Sequence, residues 1–125
     1  MNLETPRRLV IMGMIEEILR ELGIGANYRA FNLLIVTVSL VVENPDYLLR
    51  ITKELYPEVG RRCGCAGTAV EHNIRAAARR AWKLNPKRLR ELALYPMAGP
   101  PTAAEFVDML AAYVTRTREE IESGE

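Results

Sequence analysis

The sequence predicts an all-α fold, a compact bundle of about six helices that contains a helix-turn-helix. Helix-start signals recur along the chain, apolar residues recur at helical spacing, and a short glycine-containing turn joins two helical segments. The chain has 125 residues and no long linker or internal repeat. We therefore expect a single helical domain, residues 1–125, built around one core.

Three helix starts are marked by a capping residue followed by proline. Thr5-Pro6, Asn44-Pro45 and Asn85-Pro86 each place a side-chain acceptor where it can bond the first free N–H groups of a helix. Each proline fits the first helical turn, where its missing N–H costs nothing. The first helix is expected over about residues 6–22, with Gly23 as its stop.

Two further helix starts have the spacing of a capping box. Thr68 with Glu71, and Thr102 with Glu105, can each satisfy two backbone N–H groups reciprocally. Glu71 also has an alternative role, because a carboxylate can accept a hydrogen bond from cytosine N4 in DNA.

Residues 33–42 form the one ambiguous segment. Their β-branched side chains favour a buried strand by propensity alone. A lone strand among helices would have no partner for its backbone hydrogen bonds, so we interpret the segment as a buried helix. This apolar run is also too short to cross a bilayer.

Residues 57–83 have the outline of a helix-turn-helix. A short helix is expected to begin at Pro57 and break at Gly64, and Thr68 is expected to start a longer one. At about 100° per residue the longer helix has two opposite faces. The polar face fits either a solvated surface or contact with a DNA groove. The apolar face contains Val70, Ile74, Ala77 and Ala81, and the polar face contains His72, Arg75, Arg79 and Lys83.

Positive charge is concentrated in one stretch of the chain. Between Arg61 and Arg90, nine basic residues accompany a single acid, Glu71, for a local charge of +8, whereas the whole chain carries +1. Such segregation attracts polyanions, with phosphate backbones foremost. Double-stranded DNA is therefore the predicted partner.

Other classes of function have little support in the sequence. Cys63, Cys65 and the single histidine, His72, are too few for the four ligands of a structural zinc site, so we expect no metal and no cofactor. No Ser, Cys or carboxylate is spaced to form a catalytic set with His72, which argues against an enzyme. We expect a cytoplasmic protein, with no membrane contact, because the sequence has no targeting segment and its cysteines fit reduced thiols in a tight turn.

Several short strings match a known family. They occupy residues 23–24, 51–59, 70–71, 74–75, 81–82 and 101–106. The most specific is Ile51-Thr52-Lys53 followed by Leu55-Tyr56-Pro57. In these strings the sequence resembles the C-terminal DNA-binding effector domain of the master sporulation response regulator of endospore-forming bacteria, the stage zero sporulation protein A family.

The resemblance implies a fold, a mode of binding and a second partner. The implied fold is an all-α bundle, with the helix-turn-helix placed as above and residues 33–42 helical. The implied binding mode is a head-to-tail homodimer on repeated DNA boxes. The stretch after the recognition helix, about Lys83–Tyr95, is implied to contact the RNA polymerase sigma subunit. No phosphoacceptor aspartate is assigned, because the resemblance covers the effector domain alone.

The match to the family's DNA-contacting positions is partial. Glu71 and Arg75 fall on positions that contact DNA in the family. Ala69 and His72 stand where the family typically has arginines, and Ala76 stands where it has a histidine. These departures leave the target DNA sequence open.

We therefore interpret the chain as a sequence-specific DNA-binding transcription regulator of the sporulation-initiation type, with its recognition helix, about Thr68–Lys83, in the major groove. The alternative is a protein-interaction module derived from that family, which pairs with a regulator and has lost specific DNA binding. Glu71, His72 and Arg75 are predicted to lie nearest the base edges. The full predicted DNA-binding set is Thr68, Glu71, His72, Arg75, Arg79, Lys83, Arg61 and Arg62.

Overall fold

The computed structural model describes the backbone of residues 4–124 and the side chains of residues 7–124. Within that range the secondary structure is helical, with no β-strand, so the predicted all-α fold is confirmed. A 3₁₀ helix (Pro45–Leu49) and a π-helical turn (Ile51–Leu55) connect the second and third α-helices. The six α-helices are α1 (Glu4–Glu21), α2 (Arg29–Glu43), α3 (Tyr56–Cys63), α4 (Gly67–Leu84), α5 (Pro86–Ala93) and α6 (Ala103–Ser123).

Residues 33–42 lie within α2, which confirms the helical interpretation. α2 contacts α1, α3, α4 and α6, so other helices enclose its β-branched side chains on several sides. Its buried hydroxyl is satisfied locally, because Thr37 Oγ1 donates to the carbonyl of Leu33 at 2.6 Å. None of the helices in residues 4–124 combines the length and apolar character needed to cross a bilayer.

All six α-helices contribute buried side chains to one hydrophobic core, in which α2, α4 and α6 contact one another. Burying one large apolar side chain stabilises the folded state by roughly 1.5–3 kcal/mol relative to leaving it exposed. The core therefore fixes α4 against the rest of the bundle, which is the property that positions the candidate site. Its fully buried members include Leu34, Val38, Ile74, Phe106 and Leu110.

Helix starts near the beginning of the chain differ slightly from the prediction. α1 begins at Glu4, one residue before the predicted cap Thr5, whose side chain lies outside the described residues. α1 ends as expected before Gly23, whose φ of +86° stops the helix. Asn44 accepts a hydrogen bond from the N–H of Asp46 at 3.2 Å, but it caps the 3₁₀ helix rather than an α-helix.

Two predicted caps in the second half of the chain are confirmed. Asn85 begins α5 by accepting a hydrogen bond from the N–H of Arg88 at 3.3 Å. Thr102 and Glu105 form a complete capping box at α6. The N–H of Glu105 donates to the Thr102 hydroxyl at 3.1 Å, and the N–H of Thr102 donates to the Glu105 carboxylate at 2.9 Å.

The predicted capping box of Thr68 and Glu71 is wrong. α4 begins at Gly67, its N-cap is Ala66, and no side chain bonds the cap. Because the helix starts earlier than expected, Thr68 lies inside the first turn instead of at the cap. The carboxylate of Glu71 pairs with Arg75, one turn further along the same helix.

The turn between α3 and α4 is short and tightly packed. Gly64 has a φ of +77°, so the predicted break is found at a left-handed residue. The N–H of Cys65 donates to the carbonyl of Gly60 at 2.9 Å and closes the end of α3. A Cβ at Gly60 would lie only 2.2 Å from the Cys65 carbonyl oxygen, so no larger residue fits without movement. The two helices and this turn are consistent with the predicted helix-turn-helix.

Gly60→Ala is expected to lower the free energy of unfolding by about 1–3 kcal/mol, because the added methyl group overpacks the turn. Gly13→Ala is the matched control. A Cβ there meets nothing within 4 Å, and alanine within α1 is expected to raise stability by roughly 0.5–1 kcal/mol. Urea unfolding followed by circular dichroism measures both variants. Equal stability of the two would contradict the close packing described.

Candidate nucleic-acid interface

The two faces of α4 have opposite environments. One face is buried in the core and contains Val70, Ile74, Ala77 and Ala81. The other face, which we call the α4 polar face, is exposed to solvent and contains His72, Arg75, Arg79 and Lys83. This separation agrees with the helical periodicity of the sequence.

Several neighbouring elements fix the position of α4. It contacts α2, α3, α5 and α6. Its first residue, Gly67, approaches α3 so closely that a Cβ there would lie 3.1 Å from the nitrogen of Pro57. Near its end, Arg80 Nε donates to the carbonyl of Gly23 at 2.8 Å, and the guanidinium stacks over the Tyr28 ring at 4.1 Å. The polar face is therefore presented by a helix anchored at both ends.

Arg75 on the polar face is paired with Glu71. Arg75 Nε donates to one carboxylate oxygen at 3.2 Å, and Arg75 Nη2 donates to the other. The pair spans one helical turn, and the Arg75 side chain remains 47% exposed. The carboxylate raises the pKa of Arg75 further above its ordinary value, mainly through these hydrogen bonds. Both side chains are therefore held in defined positions at the surface.

Glu58 on α3 forms ion pairs with two further residues that the sequence predicts to contact DNA. Arg61 donates to it at 3.0 and 2.6 Å, and Arg62 donates to it at 2.7 Å. Hydrogen bonds from Arg61 and then Arg62 lower the pKa of Glu58 from 4.5 to about 2. One carboxylate is thus shared between two guanidinium groups, so this end of α3 retains a net positive charge.

The other members of the polar face have no such partner. Among the described residues, the side chains of Arg79, Lys83 and His72 form no hydrogen bond or ion pair. Where ion pairs do exist at this surface, water screens them, so a phosphate group can compete for the arginine. The surface therefore combines unpaired cations with cations held by exchangeable carboxylates.

Part of the basic stretch has a structural role instead. Arg88 Nε donates to Glu21 of α1 at 2.8 Å, and its Nη1 donates to Glu91 at 3.1 Å. The Arg90 guanidinium lies over the Trp82 ring, 4.7 Å from its centroid. Arg80 ties α4 to the connection between α1 and α2, Arg88 ties α5 to α1, and Arg90 ties α5 to α4. The +8 stretch is consequently not a single cationic surface.

A cleft beside the N-terminal half of α4 brings four predicted residues together. Thr68, Glu71, His72 and Arg75 all line it. Tyr56, which also lines the cleft, was not among the predicted site residues although it belongs to the string that carries the family resemblance. By contrast, Arg79 and Lys83 lie further along α4, and Arg61 and Arg62 lie on α3.

Tyr56 is buried and lies close enough to Glu71 and Arg75 to interact electrostatically with both. Its side chain is 3% exposed, and its hydroxyl has no hydrogen-bond partner among the described residues. Burial, followed by the negative charge of Glu71, raises the pKa of Tyr56 to about 12. The phenol therefore keeps its proton at neutral pH, and its buried hydroxyl has a hydrogen-bond donor that no described residue accepts.

Cys63 and Cys65 are free thiols at the turn between α3 and α4. Both are half-buried, and Asn32 Nδ2 lies 4.0 Å from the Cys63 sulfur. The described part of the chain contains no cluster of three or more His, Cys, Asp or Glu side chains arranged to hold a metal ion.

Residues 15–114 match the protein family described as "Sporulation initiation factor Spo0A C terminal". The chain belongs to this family. The match begins within α1, ends within α6 and includes all of α3, α4 and the turn between them. The resemblance seen in the short sequence strings is thereby confirmed.

Membership in the family defines the broad class of this domain. The family consists of DNA-binding regulator domains of sporulation, and it is not a family of enzymes. An exposed basic helix on a rigid helical support is the kind of surface that such domains need.

The pairing of Glu58 with two arginines should be visible in its pKa and in the pH dependence of stability. We expect Glu58 to titrate with a pKa of about 2 in the folded protein, compared with 4.5 for an unperturbed side chain. The folded-state pKa is depressed, so the ion pairs stabilise the fold above pH 4.5, and this stabilisation is lost as the pH falls toward 2. NMR titration of the Glu58 carboxyl carbon measures the midpoint. Arg61→Gln combined with Arg62→Gln should return it toward 4.5, whereas a midpoint already near 4.5 in the unaltered protein would refute the pairing.

Proposed function

We propose that this chain is a sequence-specific transcription regulator of the sporulation-initiation type and that α4 enters the major groove of duplex DNA as its recognition helix. The observation that carries the proposal is the α4 polar face, a cationic and exposed surface on a helix whose other side is buried. The major groove is wide enough to admit one α-helix. Family membership favours this function over an interaction module that has lost DNA binding.

Glu71 and Arg75 are suited to read one G·C base pair or two adjacent ones. Arginine forms a bidentate contact with guanine O6 and N7, and glutamate accepts from cytosine N4. In the free protein the Arg75 guanidinium donates its hydrogen bonds to the Glu71 carboxylate, so each charged group has a partner. Guanine can replace Glu71 as the acceptor for Arg75, while the cytosine amino group replaces Arg75 as the donor to Glu71. The exchange leaves neither charged group without a partner in the groove.

The base-reading set is smaller than the family pattern implies. Ala69 and Ala76 stand at positions where family members typically carry arginine and histidine, and a methyl side chain cannot form a hydrogen bond with a base. His72, which is exposed beside Glu71, is the remaining polar candidate. Sequence preference is therefore proposed to rest on Glu71, His72 and Arg75.

The remaining predicted residues are proposed to bind phosphates. Arg79 and Lys83 extend from the C-terminal half of α4, and Arg61 and Arg62 extend from α3, so the two pairs can engage DNA backbone on different sides of the groove. Thr68 lies exposed in the first turn of α4, where a hydroxyl and uncapped N–H groups suit a phosphate oxygen.

Two protein partners complete the proposal. The chain is proposed to bind DNA as a head-to-tail homodimer and to contact the RNA polymerase sigma subunit through about Lys83–Tyr95. Large apolar side chains in this stretch support the second contact, since Leu94 is 70% exposed and Tyr95 is 45% exposed. Exposed apolar groups of this size are typical of protein-binding surfaces when they are clustered.

DNA affinity is expected to fall linearly with the logarithm of salt concentration. If Arg61, Arg62, Arg79 and Lys83 each neutralise one phosphate, log K should change with log salt with a slope of roughly −3 to −4. Lys83→Ala should reduce the magnitude of the slope by about 1 without changing sequence preference. Fluorescence anisotropy at several ionic strengths measures the slope. Affinity that is independent of salt would exclude this mode of binding.

Arg75→Ala is expected to weaken binding to the preferred duplex by about 1–3 kcal/mol and to reduce selectivity against altered G·C pairs. Arg7→Ala is the control for the loss of one charge, because Arg7 lies exposed on α1, a helix that packs against α2 and α6. Duplexes selected from a random pool supply the preferred and altered sites. Equal losses for the two variants would show that Arg75 contributes only its charge, and no loss for either would remove Arg75 from the interface.

A further inference from the structure

Cys63 and Cys65 flank the glycine that turns the chain from α3 into α4. They are the two cysteines of the sequence, and both are free and half-buried. The proposed DNA contacts do not use either thiol. A chemical change at either thiol can still affect α4, because the turn that contains them precedes its first residue.

The geometry of the turn brings the two residues within reach of a disulfide bond. Residues separated by one neighbour have Cα atoms at most about 7 Å apart in a fully extended chain. Gly64 adopts the left-handed conformation, with φ of +77° and ψ of +35°, which bends the chain and shortens this separation. Disulfide-bonded cysteines have Cα atoms roughly 4.4–6.8 Å apart.

We infer that Cys63 and Cys65 form a reversible disulfide within the chain and that this bond weakens DNA binding by deforming the start of α4. The site is thus a redox modification site. Its effect on DNA rests on the proposed function, whereas formation of the bond does not.

The oxidant is a small-molecule disulfide such as glutathione disulfide. The thiolate of Cys65 attacks one sulfur, the S–S bond breaks, and the departing glutathione thiolate takes up a proton. Cys63 then loses its proton and attacks the sulfur of Cys65, and a second glutathione thiol leaves. Two protein thiols are oxidised, and one disulfide is reduced to two thiols. Burial raises the pKa of Cys63 and so lowers its thiolate fraction, which makes Cys63 the second rather than the first thiol to attack.

A disulfide bond between Cys63 and Cys65 closes a small ring and must change the conformation of the turn. The Cys63 side chain must leave Asn32 on α2, 4.0 Å away, and turn toward Cys65. Cys65 has little room to move toward α3, because its carbonyl oxygen already lies 2.2 Å from the position that a Cβ at Gly60 would occupy. We therefore expect the backbone after Cys65 to shift, including Gly67, the first residue of α4. A small strained ring of this kind is also readily reduced, which makes the modification reversible.

The test compares reduced protein with protein treated with glutathione disulfide. Alkylation of free thiols followed by mass spectrometry should show loss of both thiols and of two hydrogen atoms within one chain. Anisotropy should show duplex affinity reduced by about tenfold or more, a change of roughly 1.4 kcal/mol per factor of ten. Dithiothreitol should restore the affinity. Cys63→Ser combined with Cys65→Ser is the control, and its affinity should not respond to the oxidant.

Other results would overturn the inference. Disulfides that form only between chains, or glutathione adducts that persist on both cysteines, would exclude the intrachain bond. An intrachain bond with unchanged duplex affinity would exclude the effect on DNA binding, as would an equal loss of affinity in the serine variant. If the reduced protein binds no duplex, the proposed function fails by itself. Mass spectrometry and amide hydrogen exchange at residues 67–71 then decide the disulfide and its effect on α4.

Discussion

Burial of the apolar side of α4 is the constraint on which the rest of the structure depends. Val70, Ile74 and Ala81 are removed from water against the neighbouring helices, and this fixes the rotation of α4 about its own axis. With that rotation set, periodicity alone places His72, Arg75, Arg79 and Lys83 on the solvent side. The close approach of Gly67 to α3 fixes its position along the axis. A helix held in this way can present charged groups in defined places without rearranging when it binds.

Two carboxylates partly neutralise the positive charge of the proposed DNA-binding surface. Glu58 holds two arginines of α3, and Glu71 holds Arg75 on α4, so the free protein does not present a continuous field of bare cations. Arginines that are already oriented lose less side-chain freedom on binding than arginines that move freely. A carboxylate in the groove also repels phosphate, which disfavours non-specific binding. Both effects favour selectivity over indiscriminate attraction to nucleic acid.

Local features of the fold were predictable from sequence because their causes are local. Proline after a capping residue marked α5, and the spacing of Thr102 and Glu105 marked α6. The Thr68–Glu71 prediction failed because α4 begins at Gly67, so Thr68 is not the capping residue, and Glu71 pairs with Arg75 instead. Long-range contacts were not predictable: Arg80 and Arg88 resemble their basic neighbours in sequence, but their partners Gly23 and Glu21 are far away along the chain. Tyr56 was missed for the same reason, since its burial depends on how α3 meets α4.

The proposed function requires that the exposed side of α4 is the surface that binds duplex DNA. Mapping of backbone amide chemical shifts by NMR during titration with a selected duplex tests it most directly. We expect the largest changes on α4 and on the end of α3, centred on residues 68–83 and 61–62. Changes confined to α1 and α6, or no changes at saturating duplex, would contradict it.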